Sequence, residues 1–188
     1  MAALNDLEVM ASDVQNAFLA LPISEQVHTV LGPEFGRDEG KKAIIVRVLY
    51  GLKSAGASFG KHIADCMRHI TYEPCKADAD LWYKPMVRPD DGFKYYAYVL
   101  LYVDDCLCIH HDAEAALTQI DNYFMMKPGS IGDPDIYLGA KLCKVTMENG
   151  VEAWGMSASK YVQEAASNIE NYLQENFGGQ TFPRKISS

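Results

Sequence analysis

With 188 residues, 48% of them apolar and 22% charged, the chain is long and apolar enough to bury one ordinary core, which excludes wholesale disorder. No apolar run reaches the roughly 20 residues of a membrane helix, since the longest, Tyr95 to Ile109, is interrupted by Asp104 and Asp105. Seventeen Lys and Arg against 25 Asp and Glu leave a net charge of −8, the opposite of the basic footprint of a protein that grips phosphates by itself.

In chain order, Leu7 to Asp13 reads as a short strand ending in a carboxylate, and Val14 to Leu21 as a turn or first helical turn. Val27 to Leu31 and Ala43 to Leu49 are β-branched runs around Gly32, Pro33, Gly36 and Gly40, which predicts a hairpin with a turn-rich loop. Between Ser54 and Ile70 the apolar residues Phe59, Ile63, Cys66, Met67 and Ile70 recur at three and four, the spacing of an amphipathic helix. Leu81 to Tyr83 and Lys94 to Tyr102 read as strands on either side of a turn at Pro89 to Gly92, and Cys106 to Ile109 as a further short strand. Asp112 is placed to cap a helix running to Met126. Ile136 to Val145 and Val151 to Met156 alternate as strands around Glu148, Asn149 and Gly150, and Ser157 is placed to cap a last helix ending near Glu175. The polar tail from Gly178 to Ser188 is expected to fray. There are no repeats, low-complexity blocks or linkers, so the chain reads as α+β, an antiparallel sheet backed by helices.

Cys66, Cys75, Cys106, Cys108 and Cys143 are an odd number at irregular spacing, which suits reduced, buried thiols better than a disulfide framework or a zinc site. The first thirteen residues lack the basic start, apolar stretch and small-residue cleavage site of a secretory signal, so a cytosolic or nuclear protein is expected.

The chemistry concentrates in Tyr102-Val103-Asp104-Asp105, between the apolar runs Tyr98 to Leu101 and Cys106 to Ile109. Adjacent carboxylates inside an apolar strand pair would lose hydration and repel each other, so they belong at a hairpin tip or beside a cation. Asp-Asp alone reads first as an ordinary polar turn. Held rigidly at such a tip, however, the pair suits a hard divalent ion such as Mg²⁺. A third acid at the end of a neighbouring strand would supply the separate segments that two-metal phosphoryl transfer requires. Asp13 is one candidate; Asp6, Asp65, Asp78 and Asp80 compete with it, and spacing does not choose among them. His110 and His111 are adjacent on a strand, so they point to opposite faces and are poorly placed to share an ion.

Four ordered strings carry a resemblance: Asp13-Val14-Gln15-Asn16-Ala17-Phe18-Leu19, Leu49-Tyr50-Gly51-Leu52-Lys53-Ser54-Ala55, Tyr102-Val103-Asp104-Asp105 and Tyr137-Leu138-Gly139-Ala140-Lys141-Leu142. Together they resemble the reverse transcriptase of Copia-type LTR retrotransposons, over about Leu7 to Tyr172. The resemblance implies a polymerase palm over residues 1–156 with partial fingers, the start of a thumb-like helix over 157–177, and a tail over 178–188. It implies an RNA-directed DNA polymerase that uses Mg²⁺, or Mn²⁺, and extends a primer on an RNA or DNA template with deoxynucleoside triphosphates. Asp13, Asp104 and Asp105 would be its catalytic acids, and Asp13, Val14 and Asp104 its metal ligands. Val14, Gln15, Asn16 and Ala17 would cradle the triphosphate, with Tyr50 and Gly51 at the incoming base pair or template. Phe18 would lie under the sugar and exclude a 2′-hydroxyl, or else be a plain core aromatic. Tyr137, Leu138, Gly139, Ala140, Lys141 and Leu142 resemble a primer grip, and Lys53 a phosphate contact.

The sequence departs from that pattern in places. Only twelve residues precede Asp13, so the basic fingers are expected to be largely missing, and Ser54 to Gly60 lacks the Gln-Ala-Pro and Trp often seen there. With its acidic balance the isolated chain is expected to bind nucleic acid weakly and to extend no primer by itself. Two further readings stand beside polymerase: a non-catalytic retroelement remnant, and an RNA-recognition-like binding module, which lacks the aromatic sheet motif. A cytoplasmic virus-like particle or the nucleus is the compartment the resemblance implies.

Overall fold

The computed structural model describes residues 2–19, 21–52 and 55–177, in two compact units, Met1–Asp133 and Pro134–Ser188. Lys53, Ser54 at the expected start of a helix, Ala20 within the expected turn, and the tail 178–188 lie outside the described residues. Both units are built of antiparallel sheet and helix, the expected α+β class.

The first unit runs β1 (Glu8–Asp13), β2 (Pro22–Val30), β3 (Lys42–Arg47), α1 (Ala55–His69), β4 (Glu73–Pro74), β5 (Leu81–Val87), β6 (Lys94–Tyr102), β7 (Asp105–His110) and α2 (Ala113–Asp121). Its antiparallel sheet has the order β1-β7-β6-β5-β4, and β2 and β3 pair separately as the expected hairpin. The side chains alternate across the sheet. One face carries Ser12, Val99, Leu101, Cys106 and Cys108, all buried, while Asp13, Tyr96 and Tyr102 lie exposed on the other. Helices α1 and α2 supply Phe59, Ile63, Cys66, Met67, Leu117 and Ile120 to the core at the three-and-four spacing legible in the sequence.

Boundaries differ from expectation in places: β2 starts at Pro22 rather than Val27, and the ends of β5 and α2 move for local reasons. Strand β5 continues past Tyr83 to Val87 and takes in Pro85, because β4 pairs only with Trp82 and Tyr83 and the rest of β5 is a sheet edge, where a missing N–H costs no ladder bond. The short β4 was not foreseen. Helix α2 is capped by Asp112, whose carboxylate accepts the Ala115 amide at 2.9 Å, but it stops at Asp121 rather than Met126. There the Asp121 carboxylate takes the Met126 amide, and Met126 bridges Val14, which draws the chain off the helix axis toward β1.

The second unit comprises β8 (Ile136–Tyr137), β9 (Ala140–Thr146), β10 (Glu152–Ser157) and α3 (Ser159–Phe177). The single strand expected from Ile136 to Val145 is two, because Leu138 and Gly139 both take positive φ, 50° and 75°, and reverse the chain in a two-residue turn. Ser157 receives the Ser159 amide at the start of α3, and no residue of that helix is buried. No helix is long and apolar enough to cross a membrane among the described residues.

At the end of the first sheet remote from the acids, His110 accepts the Asp112 amide on Nδ1 at 2.9 Å and meets the Tyr95 ring edge-on. Burial holds its pKa below the ordinary 6.5, against the pull of the Asp112 carboxylate. A folded value below the unfolded one means that the unfolded chain takes up the proton first, so this contribution is complete above pH 6.5 and is lost as pH falls through the folded value. The urea midpoint is expected to decline as pH falls below about 6.5, and His110→Gln to flatten that decline. An identical decline in the variant would assign the effect to other groups.

Candidate active site

The ladder of β1 with β7 sets Asp13 directly opposite Asp105, and the ladder of β6 with β7 sets Tyr102 opposite Asp105 on its other side. Residues directly opposite in antiparallel strands share a face, so Asp13, Asp105 and Tyr102 form one row at the end of the sheet. Val103 and Asp104 are the two-residue loop of the hairpin. Val103 takes φ 55°, a conformation that a two-residue loop demands and that a β-branched side chain resists. Strain of this kind persists only where neighbours fix the backbone. The neighbour here is β1's continuation: the Val14 amide donates to the Asp104 carbonyl at 2.7 Å, tying the hairpin tip to the residue after Asp13.

The other side of Asp13 is held by a segment that sequence reasoning did not single out. The Asp13 carbonyl accepts the Lys127 amide at 2.8 Å, and its own amide donates to Ser130 Oγ at 3.1 Å. Ser130 Oγ also lies 2.8 Å from the hydroxyl of Ser12, the buried polar residue of β1. Lys127 Nζ stands 4.0 Å from the Asp13 carboxylate, which is 53% exposed, so the pair is a loose surface contact of small energetic worth. Nothing in the sequence around Ser130 marks it as a partner of Asp13. The only local sign is the Pro128-Gly129 turn, in which Gly129 takes φ 74°.

The competing acids lie elsewhere. Asp6 is at the opposite end of β1, Asp65 is exposed on α1, and Asp78 caps the amide of Asp80 in the loop before β5. Among the described residues no three His, Cys, Asp or Glu side chains are gathered as a metal-holding group. The fold therefore aligns the backbones of Asp13, Asp104 and Asp105 at one end of one sheet without drawing their carboxylates into a preformed cluster. The donors available there, carboxylates and the Val14 carbonyl, are hard oxygens, the type Mg²⁺ or Mn²⁺ takes.

In the segment after Asp13, the Val14 and Gln15 amides are already bonded, to the carbonyls of Asp104 and Met125, which leaves any triphosphate cradle to Asn16 and Ala17. Asn16 takes φ 52°, and Ala17 is buried. Phe18 is 7% exposed, edge-on to Tyr50 at 4.7 Å between ring centroids and tilted on Phe59 at 5.3 Å. Gly51, at φ 89°, follows the exposed Tyr50, so the structure does bring together Phe18, Tyr50 and Gly51. Tyr137 to Leu142 forms a hairpin, β8 and the start of β9, with Tyr137 and Ala140 buried, in the second unit.

No protein-family model matches the sequence. Over 182 residues, 94% of the chain, it is 28% identical to the protein named Retrovirus-related Pol polyprotein from transposon TNT 1-94, of Nicotiana tabacum. The chain spans 13% of the length of that polyprotein. A likeness running through nearly all of this chain supports its origin in a retroelement Pol polyprotein.

Proposed function

We propose that the chain is the palm of an RNA-directed DNA polymerase of Copia type, with Asp13, Asp104 and Asp105 as its acids. The observation that carries this reading is the register of β1 against the β6–β7 hairpin, which sets Asp13 opposite Asp105 and bonds Val14 to Asp104. Asp13, Asp104 and the Val14 carbonyl would hold Mg²⁺ or Mn²⁺. When bound, the ions neutralise charge on the transferring phosphoryl group and lower the pKa of the attacking hydroxyl. In that reaction the primer 3′-oxygen bonds to the α-phosphorus and the bond to pyrophosphate breaks. Phe18, packed against Tyr50 and Phe59, would supply the ring that excludes a 2′-hydroxyl by clashing with it. The hairpin of Tyr137 to Leu142 is assigned to the primer. Template, primer and deoxynucleoside triphosphates are the partners, in a cytoplasmic particle or the nucleus. A non-catalytic remnant is the second reading, favoured by the net charge of −8 and by the absence of a gathered three-ligand group among the described residues.

Metal binding separates the two. Mn²⁺ at millimolar concentration is expected to broaden the backbone NMR signals of Val14, Asp104 and Asp105 before all others, with weak affinity because side chains alone complete so little of the shell. The doubly substituted Asp13→Asn, Asp104→Asn chain is expected to lose that broadening. Broadening centred elsewhere, or unchanged in the double variant, would remove the metal site and leave the remnant reading.

A further inference from the structure

We propose that Ser130 is a positioning residue for Asp13: its hydroxyl holds both backbone groups of that residue and so fixes the direction in which the carboxylate leaves β1. The consequence for metal binding rests on the polymerase reading; the hold on the backbone does not. On the side of β1 away from β7, the chain from Met126 to Gly132 runs as an irregular edge strand, pairing Val14 with Met126 and Ala11 with Gly132. Between these two bridges Ser12 and Asp13 face five residues, Lys127 to Ile131, so a regular ladder cannot continue. The surplus forms a turn, Lys127-Pro128-Gly129-Ser130, closed by the Ser130 amide on the Lys127 carbonyl at 3.0 Å. Proline in its second position and Gly129 at φ 74° in its third are the residues of a type II turn. That turn delivers the side chain of its last residue, Ser130, to the gap in the ladder.

Successive residues of a strand direct their N–H and C=O groups to opposite sides, so those of Ala11 and Asp13 both point to this segment. Ala11 is met by backbone alone, exchanging bonds of 2.9 and 3.1 Å with Gly132. Asp13 is met by Ser130 Oγ, 3.1 Å from its amide and 3.4 Å from its carbonyl, with the Lys127 amide on the same carbonyl at 2.8 Å. A hydroxyl has one proton and two lone pairs. With the Asp13 amide on one lone pair and the hydroxyl of buried Ser12 donating to the other from 2.8 Å, the Ser130 proton goes to the Asp13 carbonyl, and every group is satisfied. Ser130 thus stands in for the residue that a regular ladder would place opposite Asp13. The Asp13 carboxylate is 53% exposed and its contact with Lys127 is loose, so its direction follows from the backbone that carries it. Removing a residue that orients a metal ligand lowers metal affinity by about 10- to 100-fold.

The test compares three variants of the whole chain: Ser130→Ala removes the hydroxyl, Ser130→Thr keeps it, and Ser12→Ala removes the buried partner but leaves Ser130 on Asp13. In metal-free protein, hydrogen exchange at the Asp13 amide is expected to quicken about tenfold in Ser130→Ala, with the Ala11 amide unchanged, and to return to the parent rate in Ser130→Thr. Mn²⁺ affinity, read from broadening of the Val14 and Asp104 signals, is expected to fall about tenfold in Ser130→Ala and to stay within about twofold of the parent in the other two. A role in stability alone predicts the opposite order, since Ser12 is the more buried of the two serines. Unchanged exchange at Asp13 in Ser130→Ala overturns the proposal whatever the metal does. Quickened exchange with undiminished Mn²⁺ affinity overturns the positioning role and leaves the metal site standing, and an equal loss of affinity in Ser12→Ala overturns it in favour of packing. A parent chain that binds no Mn²⁺ at the hairpin tip, with exchange still quickened in Ser130→Ala, removes the metal reading and this role together.

Discussion

Asp104→Asn is expected to cut primer extension about 10²- to 10³-fold, measured in a polypeptide that joins these residues to the remaining parts of a Pol polyprotein. The amide has nearly the shape of the carboxylate, and the tip of the hairpin is set by backbone, through the Val14 amide on the Asp104 carbonyl and the ladder of Tyr102 with Asp105. The fold is therefore expected to survive unchanged, with a urea midpoint like that of the parent. On the proposed function, what is lost is the negative charge that would hold a hard cation, and a neutral amide is a poor substitute for it. The loss should appear in kcat with Mg²⁺ and with Mn²⁺ alike. Retention of more than about a tenth of the parent rate would mean that Asp104 is not a ligand, since losing one charged ligand costs several kcal/mol. The purified 188 residues alone are expected to extend no primer, because a chain with net charge −8 releases few counterions on meeting a template.

Leu117→Ala is expected to destabilise the first unit by about 3 kcal/mol, a large share of the roughly 5–15 kcal/mol by which a domain is stable. Leu117 is 0% exposed on α2, the helix packed on β1 and β7, so truncation opens a void directly under the two strands that carry Asp13 and Asp105. Leu4→Ala makes the same chemical change at a site 81% exposed and is expected to shift stability by less than about 0.5 kcal/mol. Urea unfolding measured on the two variants checks the difference. A loss under about 1 kcal/mol for Leu117→Ala would show that the helix relaxes into the void.

Helix α1, the Asp112 cap and the β6–β7 hairpin were legible in the sequence because each is specified by residues close together along the chain. Apolar residues three and four apart make a helix face, an aspartate ahead of such a run caps it, and two acids between apolar runs must sit where the strands turn. Where elements end was less legible. Met126 has the spacing to extend α2, yet its pairing with Val14 lies more than a hundred residues away along the chain, and that contact ends the helix. Pro85 reads as a strand breaker until β5 proves to be an edge.

The resemblance named Asp13 among five candidate acids, but residue spacing could not, and the reason is physical. Joining β1 to β7 is a choice of sheet order and register between distant strands, made by the packing of one whole face, and a shift of one residue would have turned Asp13 toward the core. The same long-range pairing brings Ser130 and Lys127 to Asp13, a partnership with no local pattern in the sequence. The sequence by itself determined which chemistry the chain can offer, hard carboxylate oxygens at a hairpin tip. Tertiary structure decided which carboxylate joins them and which backbone amides of the following segment are already bonded, because each of these depends on strands meeting across the fold.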